Sequence, residues 1–221
     1  MKQKRLDALA DSIFGIVMTV LVFDINIPKY TGIVSDKLIL KSLVVMYPLF
    51  LSFLLAFTLL FTYWRSHHFV ASVLVKNIDL RFTNYNALFF FFVTLIPFSA
   101  HLFSVYNDSK IAIILFATNI IFVGLSLFIM RQYAIRSNTI ENEPFTKSEN
   151  EHANMRILFP VFAALCAIGI AFVNKDMALF VFTFAILFNF SEKSTKYIFY
   201  IINIFRRKDK NNYEITSSSS I

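Results

Sequence analysis

The sequence predicts an all-α integral membrane protein with six transmembrane helices and both termini cytoplasmic, and three observations carry that prediction. First, 57% of the 221 residues are hydrophobic and only 16% are charged, against about 25% charged in an ordinary soluble domain. With 28 Phe in the chain, too little polar surface remains to coat a soluble globule. Second, six segments reach or approach the ~20 apolar residues that cross a hydrocarbon core: 9–28, 42–64, 84–105, 110–131, 156–173 and 177–191. Third, with the N-terminus inside, 16 of the 21 Lys and Arg fall on inner segments, as the positive-inside rule requires.

The first span, within Arg5–Asn26, is the most informative element. Leu9, Ser12, Ile16, Thr19, Phe23 and Asn26 recur at spacings of three and four, which places them on one helical face. A lipid-facing helix has no use for Ser12, Thr19 and Asn26 in register, so the face is expected to line something wet. If several copies surround an axis, Ile16 or Phe23 makes a constriction that shuts by dewetting, and Thr19 hydroxyls contact a partly stripped cation. The plainer reading is that Ser and Thr bond to the preceding turn or a neighbouring helix. The basic MKQKR start is superficially like a signal peptide, but Asp7 and Asp11 interrupt it and no small-x-small site follows, so a retained helix is expected.

Asp11 lies six residues after Arg5, about 9 Å along a helix, and a carboxylate at the inner boundary requires a cation or several donors. Arg5 and the end of the second span, Trp64-Arg65-Ser66-His67-His68, supply candidates; an inner-leaflet network stapling the first three spans is favoured over a proton or ion relay. His67 and His68 diverge by about 100° on a helix, and no HxxxH or ExxH pair exists, so no metal site is expected. In the third span Pro97 is expected to kink or end the helix, with Phe89–Phe92 as lipid-facing or interhelical filler.

Asp24 and Lys29 close the outer end of span one, Asp24 either drawing cations or pairing with Lys29. Tyr106–Ser109 and Asn174–Asp176 are short turns, and 132–155 reads as a polar loop. The unit therefore runs over 1–205, with 206–221 a basic, polar and disordered tail; the stretch after span six extends the helix or lies on anionic headgroups. Cys166 stands alone, which excludes a disulfide framework within one chain. Four glycines exclude a phosphate-cradling or dinucleotide loop. The net charge of +7 follows from topology, so no nucleic-acid partner is expected. No nucleophile has an evident base at its depth, so the chain is not expected to be an enzyme, and no cofactor is expected.

The run Arg5-Leu-Asp-Ala-Leu-Ala-Asp11 followed by SIFGIVMT resembles the first-helix signature of the transmembrane protein 175 family of potassium channels: a basic residue, three variable positions, then Phe-Ser-Asp. Trp64–His68 and Asn86–Phe98 resemble that family's second and third helices, so the similarity covers most of residues 5–105. The resemblance implies a six-helix unit that assembles as a homotetramer around the first helices, a non-canonical cation channel without a TVGYG filter. It also implies Ile16 as the hydrophobic constriction, Thr19 as the hydroxyl ring tied to selectivity, and Arg5, Asp11, Trp64 and His68 as an interhelical or intersubunit network. The chain departs from the signature at Leu9-Ala10, where Phe-Ser is usual. Ala10 lacks a hydroxyl, and Ser12 points about 200° away from it.

The resulting expectation is a bacterial plasma-membrane potassium channel of modest selectivity, lined by Ser12 and Asn26 as well, with potassium transient near Thr19 and other monovalent cations also passing. Its partners would be copies of itself and the lipid bilayer. One alternative is a proton-coupled transporter in which Asp11 and His68 exchange protons; no inverted repeat or broken helix pair supports it. Another is a non-conducting assembly or lipid-binding protein built on the basic tail.

Overall fold

The computed structural model describes residues 3–26, 28, 30, 34–106, 108–144 and 146–190, without the side chains of 147–148 and 187–190. The expected tail and the Lys29 pairing lie outside these residues. Eight α-helices are described: α1 Gln3–Val20, α2 Asp36–Val45, α3 Tyr47–His68, α4 Leu80–Thr94, α5 Ile96–Val105, α6 Lys110–Arg136, α7 Lys147–Ala171 and α8 Lys175–Phe190. A 3-10 turn, Leu21–Asp24, extends α1, and a π-helical turn, Phe69–Leu74, extends α3.

Five continuous units are long and apolar enough to cross a membrane: Gln3–Asp24, Tyr47–Leu74, Leu80–Val105, Lys110–Arg136 and Glu149–Ala171. They coincide with the first five spans expected from sequence. The sixth expectation corresponds to α8, with 16 residues, which packs against α7 and α3.

Helix α2 and the 132–155 connection differ from the sequence expectation. Residues 36–45 form the separate helix α2, started by Ser35, whose hydroxyl accepts from Leu38 N–H. Met46 breaks the helix, and Pro48 falls in the first turn of α3, where its missing N–H costs nothing. Pro97 divides the third span as expected: α4 ends at Thr94, Leu95 intervenes, and Pro97 sits in the first turn of α5. The expected loop 132–155 is mostly helical, because α6 continues to Arg136 and α7 starts at Lys147. There Thr146 and Glu149 form a reciprocal capping box, which satisfies amide donors that the helix itself cannot.

Helix α6 is the centre of the bundle, packed by α4, α5 and α7. Lipid tails are as apolar as Leu, so membrane helices associate through close packing and interhelical hydrogen bonds. Small residues accordingly line the α6–α7–α8 contact, where Ala164, Ala167, Ala171 and Ala178 are fully buried. At Gly124 an added Cβ would lie 2.2 Å from Val161 Cγ2 and 2.7 Å from the Tyr63 hydroxyl, so only glycine lets the helices approach this far. Arg131, 1% exposed, pins the end of the pair by donating from Nη1 to Asn154 Oδ1 and from Nη2 to Asn150 Oδ1, the latter at 2.8 Å.

The end that carries the start of α1 also carries two cross-linked connections. Val75 and Asn142 form an antiparallel bridge, with Lys76 N–H donating to Glu141 O and Glu143 N–H to Leu74 O, both at 2.9 Å. An ion pair of 3.1 Å between Lys76 and Glu143 reinforces it.

Candidate functional site: the uncovered face of the first helix

Helix α1 has two faces with opposite surroundings. Leu6, Ala10, Phe14 and Val17, continued by Leu21, are buried against α3 and α4. Their spacings of four, four, three and four trace one stripe. On the other side Leu9, Ser12, Ile16 and Thr19 are exposed, as are Phe23 in the 3-10 turn and Asn26 beyond it, Ile16 at 63% and Phe23 at 74%. The polar-and-apolar stripe singled out in the sequence is therefore the stripe that one subunit leaves uncovered.

The hydroxyls on this face are already engaged as donors. Ser12 Oγ donates to Ala8 O at 2.7 Å. Thr19 Oγ1 lies 2.9 Å from Gly15 O and 2.8 Å from Ile16 O. This is the bonding to the preceding turn that the plainer sequence reading foresaw. It leaves each oxygen's remaining acceptor capacity on an exposed face, a polarity suited to water or a cation. Gly15, between them, has nothing within 4 Å of an added Cβ.

In the first half of α1, Trp64 Nε1 donates to Asp11 Oδ1 at 2.9 Å. His68 stacks on Trp64, with ring centroids 5.9 Å apart and planes at 22°. Asp11, Trp64 and His68 thus form one connected set. Arg5 is exposed and makes no hydrogen bond or ion pair with it among the described residues, so within one chain the expected four-residue network has three members. Asp11 is itself exposed, and Trp64 Nε1 is its described donor. Ala10, in the signature position that usually holds Ser, sits on the buried stripe, where a methyl group leaves no polar atom without a partner.

His67 diverges from His68 as helical geometry requires. It is buried, with Nε2 2.7 Å from Asn86 Oδ1, and stacks on Phe89 at 5.2 Å with planes 4° apart. Phe14 of α1 completes this cluster, 6.4 Å from His67 and 6.0 Å from Phe89. The assembly ties the buried face of α1 to α3 and α4. Asn86 gave one sequence signal, a polar residue at the start of the apolar run NALFFFFV, but its pairing with His67 is a tertiary fact. Phe89 and Phe90 are buried here, Phe91 is exposed, and Phe92 stacks on Phe122, so most of that run is interhelical filler.

Gln3 was also missed. Its amide donates to Ala71 O and Val75 O, each at 2.7 Å, and so clamps the start of α1 to the end of the π-helical turn. At the opposite end Asp24 Oδ1 lies 3.2 Å from His101 Nδ1 of α5. No group of three metal-ligating side chains occurs among the described residues.

A helical bundle with five units long and apolar enough to cross a membrane, whose first helix turns hydroxyls and large apolar side chains outward, defines a multi-span membrane protein. The family model described as "Endosomal/lysosomal potassium channel TMEM175" matches residues 5–97 of the chain. Relatives include a potassium channel of Chamaesiphon minutus, 27% identical over 190 residues, covering 83% of this chain and 92% of the relative. A potassium channel of a Chryseobacterium species is 21% identical over 180 residues, covering 81% and 88%. The fold is similar to the crystal structure of a lysosomal potassium-selective channel TMEM175 homolog from Chamaesiphon minutus, with a TM-score of 0.72 and 23% identity over 87% of this chain and 97% of that one. The matched family is one of channels and not of enzymes.

Proposed function

We propose that the chain is the subunit of a homotetrameric potassium channel of a bacterial plasma membrane, with α1 from each copy lining the pore. In this reading α8 is the sixth span and both termini are cytoplasmic. The carrying observation is the uncovered α1 stripe, opposite a fully buried one and furnished with hydroxyls whose hydrogens are already committed. Four Ile16 side chains would close the path by excluding water. Four Thr19 hydroxyls, one turn away, would replace part of a cation's hydration shell, which penalises the more tightly hydrated sodium. Phe23 is a second narrow ring toward the outer mouth, and Ser12 and Asn26 line the wider ends.

Asp11 retains acceptor capacity on the exposed side, and Arg5 is exposed at the same end. An Arg5–Asp11 contact between neighbouring subunits would complete the network there, holding the inner ends of the pore helices in register. The transporter alternative is not favoured: Asp11 and His68 meet Trp64 from two sides and share no hydrogen bond in the described structure.

Flux through liposomes containing the purified protein tests the assignment. Ile16→Asn should raise cation flux by removing the dry ring, and Thr19→Ala should lower the potassium-to-sodium ratio with flux retained. If neither substitution changes its quantity, α1 does not line the pore.

A further inference from the structure

The end of the bundle where α4 starts and α6 finishes holds a cleft of ≈520 Å³ lined by Asp79, Arg81, Tyr133, Arg136, Ser137, Asn138 and Thr139. Its one carboxylate is already saturated. Asp79 Oδ1 accepts the Phe82 amide at 2.7 Å, and Oδ2 accepts Thr139 Oγ1 at 2.9 Å and the Tyr133 hydroxyl. Burial raises the Asp79 pKa, but these three bonds and the Arg81 charge outweigh it and hold the group below its ordinary value. Arg81 and Arg136 are exposed, and neither forms an ion pair or side-chain hydrogen bond among the described residues. Two cations therefore face a cleft whose one carboxylate stays charged but has both oxygens turned to three neutral donors.

The two arginines stand at the end of an apolar track. Phe92 of α4 and Phe122 of α6 stack at 4.9 Å. Arg81, Leu88 and Phe92 lie seven and eleven residues apart on one line of α4, since seven residues make two turns. On α6, Phe122, Ile129 and Arg136 recur at spacings of seven on one line. Leu88, Phe122 and Ile129 are exposed large hydrophobics, as is Leu80 beside Arg81. From the stack, Arg81 is about 16 Å away and Arg136 about 21 Å at 1.5 Å per residue. Half of a ~30 Å hydrocarbon core, plus the depth of a headgroup, matches that distance.

We propose that this α4–α6 surface binds an anionic phospholipid, with its phosphate between Arg81 and Arg136 and its acyl chains along Leu88, Ile129 and Phe122. Asn138, which also lines the cleft, supplies a neutral side-chain donor beside the two arginines. A basic pocket between spanning helices at one leaflet is a recurrent way of holding such headgroups.

Native mass spectrometry of the full chain in detergent, titrated with phosphatidylglycerol, tests this, with phosphatidylcholine and water-soluble glycerol phosphate as the other arms. Phosphatidylglycerol should be retained in preference to phosphatidylcholine. The double variant R81A/R136A should bind it about 30-fold more weakly, and R136K, which keeps the charge and guards against misfolding, should lose far less. Lys110→Ala, at the opposite end, should have no effect. Glycerol phosphate should compete poorly, because it lacks the chains that follow the track. Unchanged phosphatidylglycerol binding in R81A/R136A overturns the site, and full competition by glycerol phosphate overturns the lipid as its occupant. Both readouts are independent of conduction, so they stand or fall apart from the channel assignment.

Discussion

Helices α1 and α6 are both long and apolar, and the bundle treats them in opposite ways. Helix α6 meets α4, α5 and α7, and it contains Gly124, where no Cβ fits. Helix α1 buries a single stripe, and its own Gly15 faces open space. Small residues on α6 serve contact within the subunit. On α1, the hydroxyls turned away from the bundle bond only to carbonyls of their own helix, and the large side chains beside them are exposed. A membrane helix carries polar groups on an uncovered face when that face meets other helices or water, and this difference separates the scaffold from the proposed pore helix.

Glycine substitutions would break that comparison most strongly. Gly124→Ala should lower the unfolding temperature in detergent, with an overpacking cost of about 1–3 kcal/mol, because Ile157 O at 3.4 Å behind the displaced Val161 and Tyr63 limits relaxation. Gly15→Ala should leave the isolated subunit as stable or slightly more so, since alanine is the better helix former. Equal losses at both sites would mean that α1 is as enclosed as α6 inside one subunit.

A smaller effect should separate the two sides of α1 itself. Asn86→Ala leaves His67 Nε2 buried without its partner, and a bare buried polar group costs about 1–2 kcal/mol. The loss should appear in thermal unfolding, and His67→Phe in the same background should recover part of it. Truncating Ser12 to Ala, on the exposed stripe, should leave thermal unfolding unchanged within error. A stability loss at Ser12 matching that at Asn86 would contradict the uncovered face.

The smallest effect concerns pH. Asp79 caps α4, and its folded pKa lies below the ordinary 3.8. Its contribution to stability is therefore present above that ordinary value and is lost as pH falls through the lower, folded one. Unfolding followed from pH 6 down to pH 2 should show a wild-type loss at the acid end that Asp79→Asn lacks. The same acid slope in both proteins would assign the dependence to other carboxylates.

Much of this was legible in the sequence because its causes are local. Apolar length marks the spans, and the three-and-four spacing from Leu9 to Asn26 reports a face whatever covers it. Pro97 breaks its helix by its own geometry. The polar extensions of α6 and α7 were read as loop because Arg131–Arg136 and Lys147–Arg156 are not apolar, although Thr146 and Glu149 carry a capping pattern that reveals the α7 start. Helix α2 had a similar unread signal in Ser35. The pairing of His67 with Asn86, and the clamp from Gln3 to Ala71 and Val75, join residues 19 and about 70 positions apart, and no periodicity encodes them. Trp64 and Asp11 were matched in advance only because orientation placed both at one membrane depth.

Cysteine crosslinking tests the central claim, that the uncovered stripe of α1 faces copies of itself around an axis. With Cys166→Ala as background, Ile16→Cys should give covalent dimers on mild oxidation in membranes. Phe91→Cys, on the exposed face of α4, should not. Dimers at Phe91 with none at Ile16 would contradict the account, because the first helices would then stand apart and the stripe would line nothing.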